Sequence, residues 1–180
     1  VDATTGQCVV VGHSAAATLA FLAADRRPTK LASAVLIGGF PSQDGAAYAP
    51  FFEPVDGVVA FPGWDAFDEA DAADLSDEQK ALIAENAVAL PASVAYGRVH
   101  YEHESRHATT PVVVICPEFT PEVALAWIDG GGIPELAPVD DLTLVNIDSG
   151  HWPMFTQPET LAELIADCAM PRPDDPASGE

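Results

Sequence analysis

Positive charge is scarce in this sequence: 7 Lys and Arg stand against 28 Asp and Glu in 180 residues, a formal net charge of -21. Lys30 and Lys80 are its only lysines. Such a chain repels phosphate, which argues against electrostatic binding to nucleic acid and against association with anionic membrane surfaces. Cysteine is also scarce. Cys8, Cys116 and Cys168 are odd in number, widely spread and without a CxxC pair, so neither a disulfide framework nor a structural zinc site is expected. Cys8 and Cys116 each adjoin an apolar run, where a free thiol behaves as a small buried hydrophobe, and this fits a reducing, cytoplasmic setting. No apolar run approaches the roughly 18 to 20 residues that span a bilayer. No charged-then-apolar leader precedes the first strand, and the chain opens on Val1. What is abundant is hydrophobic side chain, at 48%, which excludes disorder of the whole chain and suits one domain with room for an insertion. The acidic residues are dispersed rather than blocked. They read either as a solvated surface that keeps the protein soluble or as adaptation to high salt, which screens the self-repulsion.

Apolar runs and helix signals alternate along much of the chain. Cys8 to Val11 is a short apolar run stopped by Gly12, the pattern of a strand buried on both faces. Ala15 to Ala24 is rich in Ala and Leu and free of Gly and Pro, which predicts a helix ending near Arg26-Arg27-Pro28. A second strand follows at Ala34 to Ile37, closed by Gly38-Gly39, so this span reads as a βαβ unit of a parallel sheet. The alternation resumes with a strand at Pro111 to Ile115, a helix at Pro121 to Ile128 broken by Gly130-Gly131-Gly132, a strand at Leu142 to Ile147, and an amphipathic helix at Pro158 to Met170 with Leu161, Leu164, Ile165 and Cys168 on one face.

Between them, residues 41–110 are too long for an ordinary βα connection and predict an inserted helical lid. It opens as a proline- and aromatic-dotted loop, Pro41 through Pro62. Helical signals then run from Trp64 to Asn86, with a capping box at Ser76 and Gln79, and one or two further helices are expected between Ala87 and His107, with Pro91 at a boundary. The domain division is therefore 1–40 and 111–170 as an α/β core, 41–110 as the lid, and 171–180 as a Pro- and Asp-rich disordered tail.

Two segments carry residues able to do chemistry. Gly12-His13-Ser14-Ala15-Ala16 lies where a strand turns into a helix, as the serine does in the nucleophile elbow G-x-S-x-G, with Ala16 in place of the trailing glycine. The same residues also fit a serine that merely caps a helix. His151, in Ser149-Gly150-His151-Trp152-Pro153, follows the last strand, where a base would reach the C-terminal edge of the sheet; a turn histidine stacked on Trp152 is the plainer alternative. Ser and His stand in the order expected for a triad, with room between them for an acid. In the lid, His100, His103 and His107 would share one helix face, a spacing that can bind a transition metal, although a solvated polar helix end explains it as well and no metal is predicted. Phe51, Phe52, Phe61, Trp64 and Phe67 could line a substrate pocket or pin the lid to the core.

With these residues in view, the chain resembles the α/β-hydrolase family. Val9-Val10-Val11-Gly12-His13-Ser14, Pro111 to Ile115, and Ser149 to Pro153 followed by Gln157-Pro158-Glu159 carry the likeness, which spans nearly the whole sequence apart from the lid. The resemblance implies a mostly parallel sheet with flanking helices, Ser14 as nucleophile, and His151 as general base. It implies Glu118 or Asp44 as the acid, with Glu122 and Asp148 as weaker candidates, and the Ala15 N–H as an oxyanion donor. It implies a small-molecule acyl substrate and no cofactor. A nucleophilic serine points away from the branches that use an aspartate there. Family members carry about half of their sheet, and the loop with the second oxyanion donor, before the elbow, where this sequence has only Val1 to Gln7. The sequence thus reads as the C-terminal part of such a fold, with Val1 as a truncation point and Cys8 to Val11 as an unpaired apolar edge. The alternative to a serine hydrolase is a non-catalytic member of the family, or a fragment of one, lacking a complete oxyanion hole.

Overall fold

A computed structural model describes residues 1–102 and 110–169. β1 (Cys8–His13) leads through a 3-10 turn at Ser14–Ala16 into α1 (Ala17–Arg26), and β2 (Leu31–Ile37) returns parallel to β1. The expected βαβ unit is present, and its first strand runs on through His13, beyond the apolar run that announced it. β2 begins at Leu31, earlier than its hydrophobic stretch alone suggests, because its first residues also pair with β1.

The segment between β2 and the next core strand contains β3 (Val58–Val59), 3-10 turns at Trp64–Ala66 and Glu69–Ala72, α2 (Asp77–Asn86), β4 (Leu90–Pro91) and α3 (Ala92–Ala95). α2 opens with the predicted reciprocal cap: the Gln79 N–H donates to Ser76 Oγ and the Ser76 N–H donates to Gln79 Oε1. The helical stretch expected from Trp64 is corrected to two 3-10 turns before this cap. Asp65, Asp68, Asp71 and Asp74 crowd that stretch, and aspartate competes for backbone hydrogen bonds in a helix interior. Past α2, the one or two further helices expected before His107 are met, as far as the described residues go, by the four-residue α3, beside an unexpected antiparallel pairing of β3 with β4. Pro91 fits there because a ladder end needs no N–H from it. His103, His107 and the tail 171–180 lie outside the described residues.

β5 (Val112–Cys116), α4 (Pro121–Asp129), β6 (Leu142–Asn146), α5 (Pro153–Thr156) and α6 (Pro158–Asp167) complete the chain. Thr120 caps α4 by accepting the Val123 N–H, and Pro121 occupies the first turn, where its missing N–H is harmless. The four core strands form one parallel sheet in the order β1-β2-β5-β6.

The period-two alternation of the strands separates two cores. Leu36, Val112 and Val114 face Ala17, Ala20 and Phe21 of α1 and Ala124 and Ile128 of α4. Val35, Ile37, Val113 and Ile115 face Leu161, Leu164 and Ile165 of α6. Each fully buried valine or isoleucine here stabilises the fold by about 1.5–3 kcal/mol. The expectation that Cys8 to Val11 is buried on both faces is corrected. Among the described residues β1 is one of the two edge strands, paired to β2 alone, and Val11 is 42% exposed. Also among them, no helix is long and apolar enough to cross a membrane.

Every core strand is parallel, so all four C-terminal ends lie along one edge. His13 ends β1 and Ser14 follows it, while Gly38 and Gly39 follow β2, Glu118 follows β5 and His151 follows β6. In an open α/β sheet, ligands bind at this edge.

Candidate active site

The turn from β1 into α1 is tight enough to dictate its residues. A side chain at Gly12 would overlap the Ala16 carbonyl, and one at Gly39, in the loop after β2, would overlap the Ser14 backbone. Ser14 adopts φ 53, a left-handed conformation unusual for any residue but glycine, and it stays partly exposed. Ala16 sits in this turn without disrupting it, and the Ala15 N–H directly follows the serine. A plain helix cap has an extended backbone, so the positive φ separates Ser14 from that simpler role.

Across the edge, His151 Nδ1 meets Glu118 Oε1, with the two side chains only 14% and 21% exposed. A carboxylate accepts, so Nδ1 is the donor of this pair and Nε2 is the ring nitrogen left over for other partners. Gly38, at φ 55, leaves room for this pair: a Cβ there would lie 3.2 Å from Glu118 Oε2 and 3.4 Å from His151 Nδ1.

The His151 backbone is gripped as well. Its N–H donates to the Asp71 carbonyl at 2.8 Å, and the neighbouring Gly150 N–H donates to Asp74 Oδ2 at 2.8 Å. A side chain at Gly150 would overlap both the Asp71 carbonyl and the Asp74 carboxylate. The His151 carbonyl lies 2.6 Å from His13 Nε2. Burial, and secondarily the nearby His151, pushes His13 down to about 4. Burial, then the charge of Glu118, raises Asp71 above the usual aspartate range.

Aromatic rings surround this centre. Trp152 packs edge-on against His151 at 4.8 Å, and Trp64 and Phe67 pack against Trp152 at 5.1 and 5.2 Å, with Phe61 and Phe52 behind them. On the other side, Phe119 joins Phe40 and Trp127, next to a cavity of about 420 Å³ lined also by Ile133.

The remaining candidates lie elsewhere. Asp44 accepts the Tyr101 N–H at 3.0 Å and sits 3.7 Å from His100 Nδ1. Glu122 is exposed at the start of α4, where a hydrogen bond from Thr120 lowers it. Asp148 is exposed beside Asp74 and Gln79 in a polar cleft. Of the four acids weighed, Glu118 is the one paired with His151. The Cys116 thiol, fully buried, is pushed up to about 11 by burial and behaves as a core hydrophobe. Among the described residues no group of three or more His, Cys, Asp or Glu could hold a metal ion.

Sequence reasoning missed His13, Asp71, Asp74 and the tight packing of Gly39. His13 was visible inside the elbow motif. The two aspartates carry no local signal, since their partners lie 76 or more residues away.

A doubly covered parallel sheet with a left-handed serine after one strand and a histidine–carboxylate pair after two others defines a class of fold. The chain belongs to the alpha/beta hydrolase family, whose profile matches residues 1–164. Solved structures share the fold at low identity. A pyrethroid hydrolase from Sphingobium faniae JZ-2 is 19% identical with a TM-score of 0.61, over 93% of this chain and 72% of that one. An extracellular alpha/beta-hydrolase from a Paenibacillus species is 15% identical with a TM-score of 0.68, over 91% and 72%. A methylesterase from Arabidopsis is 17% identical with a TM-score of 0.63, over 90% and 69%. No curated protein matches by sequence.

Proposed function

We propose that the protein is a serine-dependent hydrolase that cleaves an ester or related acyl bond. The observation that carries this is the Glu118–His151 pair on the same sheet edge as a left-handed Ser14. Ser14 Oγ attacks the acyl carbon and passes its proton to His151 Nε2. Glu118 orients the imidazole and stabilises the imidazolium. The Ala15 N–H donates to the oxyanion. Collapse of the tetrahedral intermediate expels the alcohol, which takes the proton from Nε2 and leaves an acyl-enzyme. Water, deprotonated by the same nitrogen, then releases the acid and restores Ser14. This chemistry needs no cofactor.

Residues 41–110 act in this reading as a lid over the core formed by 1–40 and 111–170. The rings around Trp152 favour a small-molecule substrate with an apolar or aromatic group beside the scissile bond. The free thiols of Cys8 and Cys116 support a cytoplasmic setting in this reading.

Labelling with a fluorophosphonate probe tests the assignment. The folded chain is expected to take the label and Ser14→Ala to lose it. Label that survives Ser14→Ala overturns the role of Ser14. A folded chain that takes none moves the protein to the non-catalytic members of the fold.

A further inference from the structure

We infer that His13 is a positioning residue for the candidate base: a neutral imidazole that donates Nε2–H to the His151 carbonyl and fixes the His151 backbone against the elbow. Its catalytic meaning rests on the serine-hydrolase reading; the bond itself does not.

A carbonyl only accepts, so a ring nitrogen 2.6 Å from it must carry the proton, which assigns His13 as the Nε2–H tautomer. The two imidazoles are close, with centroids 4.7 Å apart and planes tilted by 52°. His151 is thereby held by three elements at once: its N–H by Asp71, its carbonyl by His13 and its Nδ1 by Glu118. The His13 contact is the one supplied by the elbow itself, one residue before Ser14. It links the serine and the histidine through the backbone, so their separation does not rest on side-chain packing alone.

Neutrality matters as much as the bond. Attack places a positive charge on His151, and a second imidazolium at this distance would oppose it. The titratable groups that face His13 are His151 from the loop after β6 and Glu118 from the loop after β5. Burial and His151 favour the neutral ring, and they outweigh the His151 carbonyl and Glu118, which favour the charged one.

Two variants separate the bond from the ring. His13→Gln keeps a neutral N–H donor near the position of Nε2, and His13→Leu removes it. With an ester substrate, His13→Leu is expected to lower kcat by ~10- to 100-fold with KM within about threefold, since small misplacements of a reacting group have effects of this size. His13→Gln is expected to recover most of that loss. Equal kcat in the two variants overturns the proposal.

Nitrogen-15 NMR of the histidine rings gives a readout independent of turnover. The full chain should show His13 as the Nε2–H tautomer at neutral pH, and an Nδ1–H tautomer overturns the inference even if neither variant folds. The low-field Nδ1–H resonance of the His151–Glu118 pair should persist in His13→Gln and broaden or vanish in His13→Leu; its unchanged presence in His13→Leu counts against the proposal. Wild-type protein that shows this resonance and the Nε2–H tautomer yet takes no fluorophosphonate sinks the hydrolase reading and leaves the positioning bond standing.

Discussion

Acidification should weaken this fold through the His13 ring. His13 titrates near 4 in the folded protein, against 6.5 for an unperturbed histidine. Between these values the unfolded chain holds a proton that the folded chain does not, so stability falls as pH drops through the window and is flat above it. The slope from this group is at most ~1.4 kcal/mol per pH unit. In urea unfolding, His13→Gln should therefore gain on the wild type as pH falls from 6.5 towards 4, and should run parallel to it above 6.5. Curves that stay parallel throughout would show that His13 does not enter the fold neutral. Ser14, Glu118 and His151 were legible in the sequence because each sits just past an apolar run stopped by a turn residue. His13 stood in the same motif, but its role is a bond to a carbonyl 138 residues away, and no local pattern encodes that distance.

The loop after β6 and the segment before α2 work as one piece. Two backbone N–H groups of the loop, from Gly150 and His151, are spent on Asp74 and Asp71, and Gly150 has no Cβ because those acceptors occupy its place. Gly150→Ala should push the loop off Asp71 and lower kcat by ~10- to 100-fold. Asp74→Ala, which removes one part-buried hydrogen bond and adds no clash, should lower stability by ~1–3 kcal/mol. The order matters: if Asp74→Ala loses as much activity as Gly150→Ala, the carboxylate has a part beyond holding the loop. At this scale the sheet strands and the capped helices α2 and α4 were readable from periodicity and end signals. The β3–β4 pairing was not, since two-residue strands have no period, and the 3-10 turns were hidden by an aspartate-rich stretch that mimics a helix start.

For the molecule as a whole, charge is the term most open to solution conditions. A net charge of -21 on a chain of this size repels itself, and the few cations are partly engaged, Arg27 with Asp2 and Arg26 with Glu102. Added NaCl should raise the unfolding midpoint between low and molar salt, because a Debye length of ~10 Å at 0.1 M shrinks to ~3 Å at 1 M. A midpoint indifferent to salt would leave the acidic surface as a matter of solubility alone. Composition could announce this charge but not its balance against a sheet whose two cores are covered by helices. The left-handed Ser14 bears on how such a chain evolves. Selection for thermal endurance alone would favour glycine at that position, where an L-residue is less comfortable by ~1–2 kcal/mol. Variants enriched only for endurance should therefore drift towards glycine at 14, and a screen that also demands turnover should hold the serine in place.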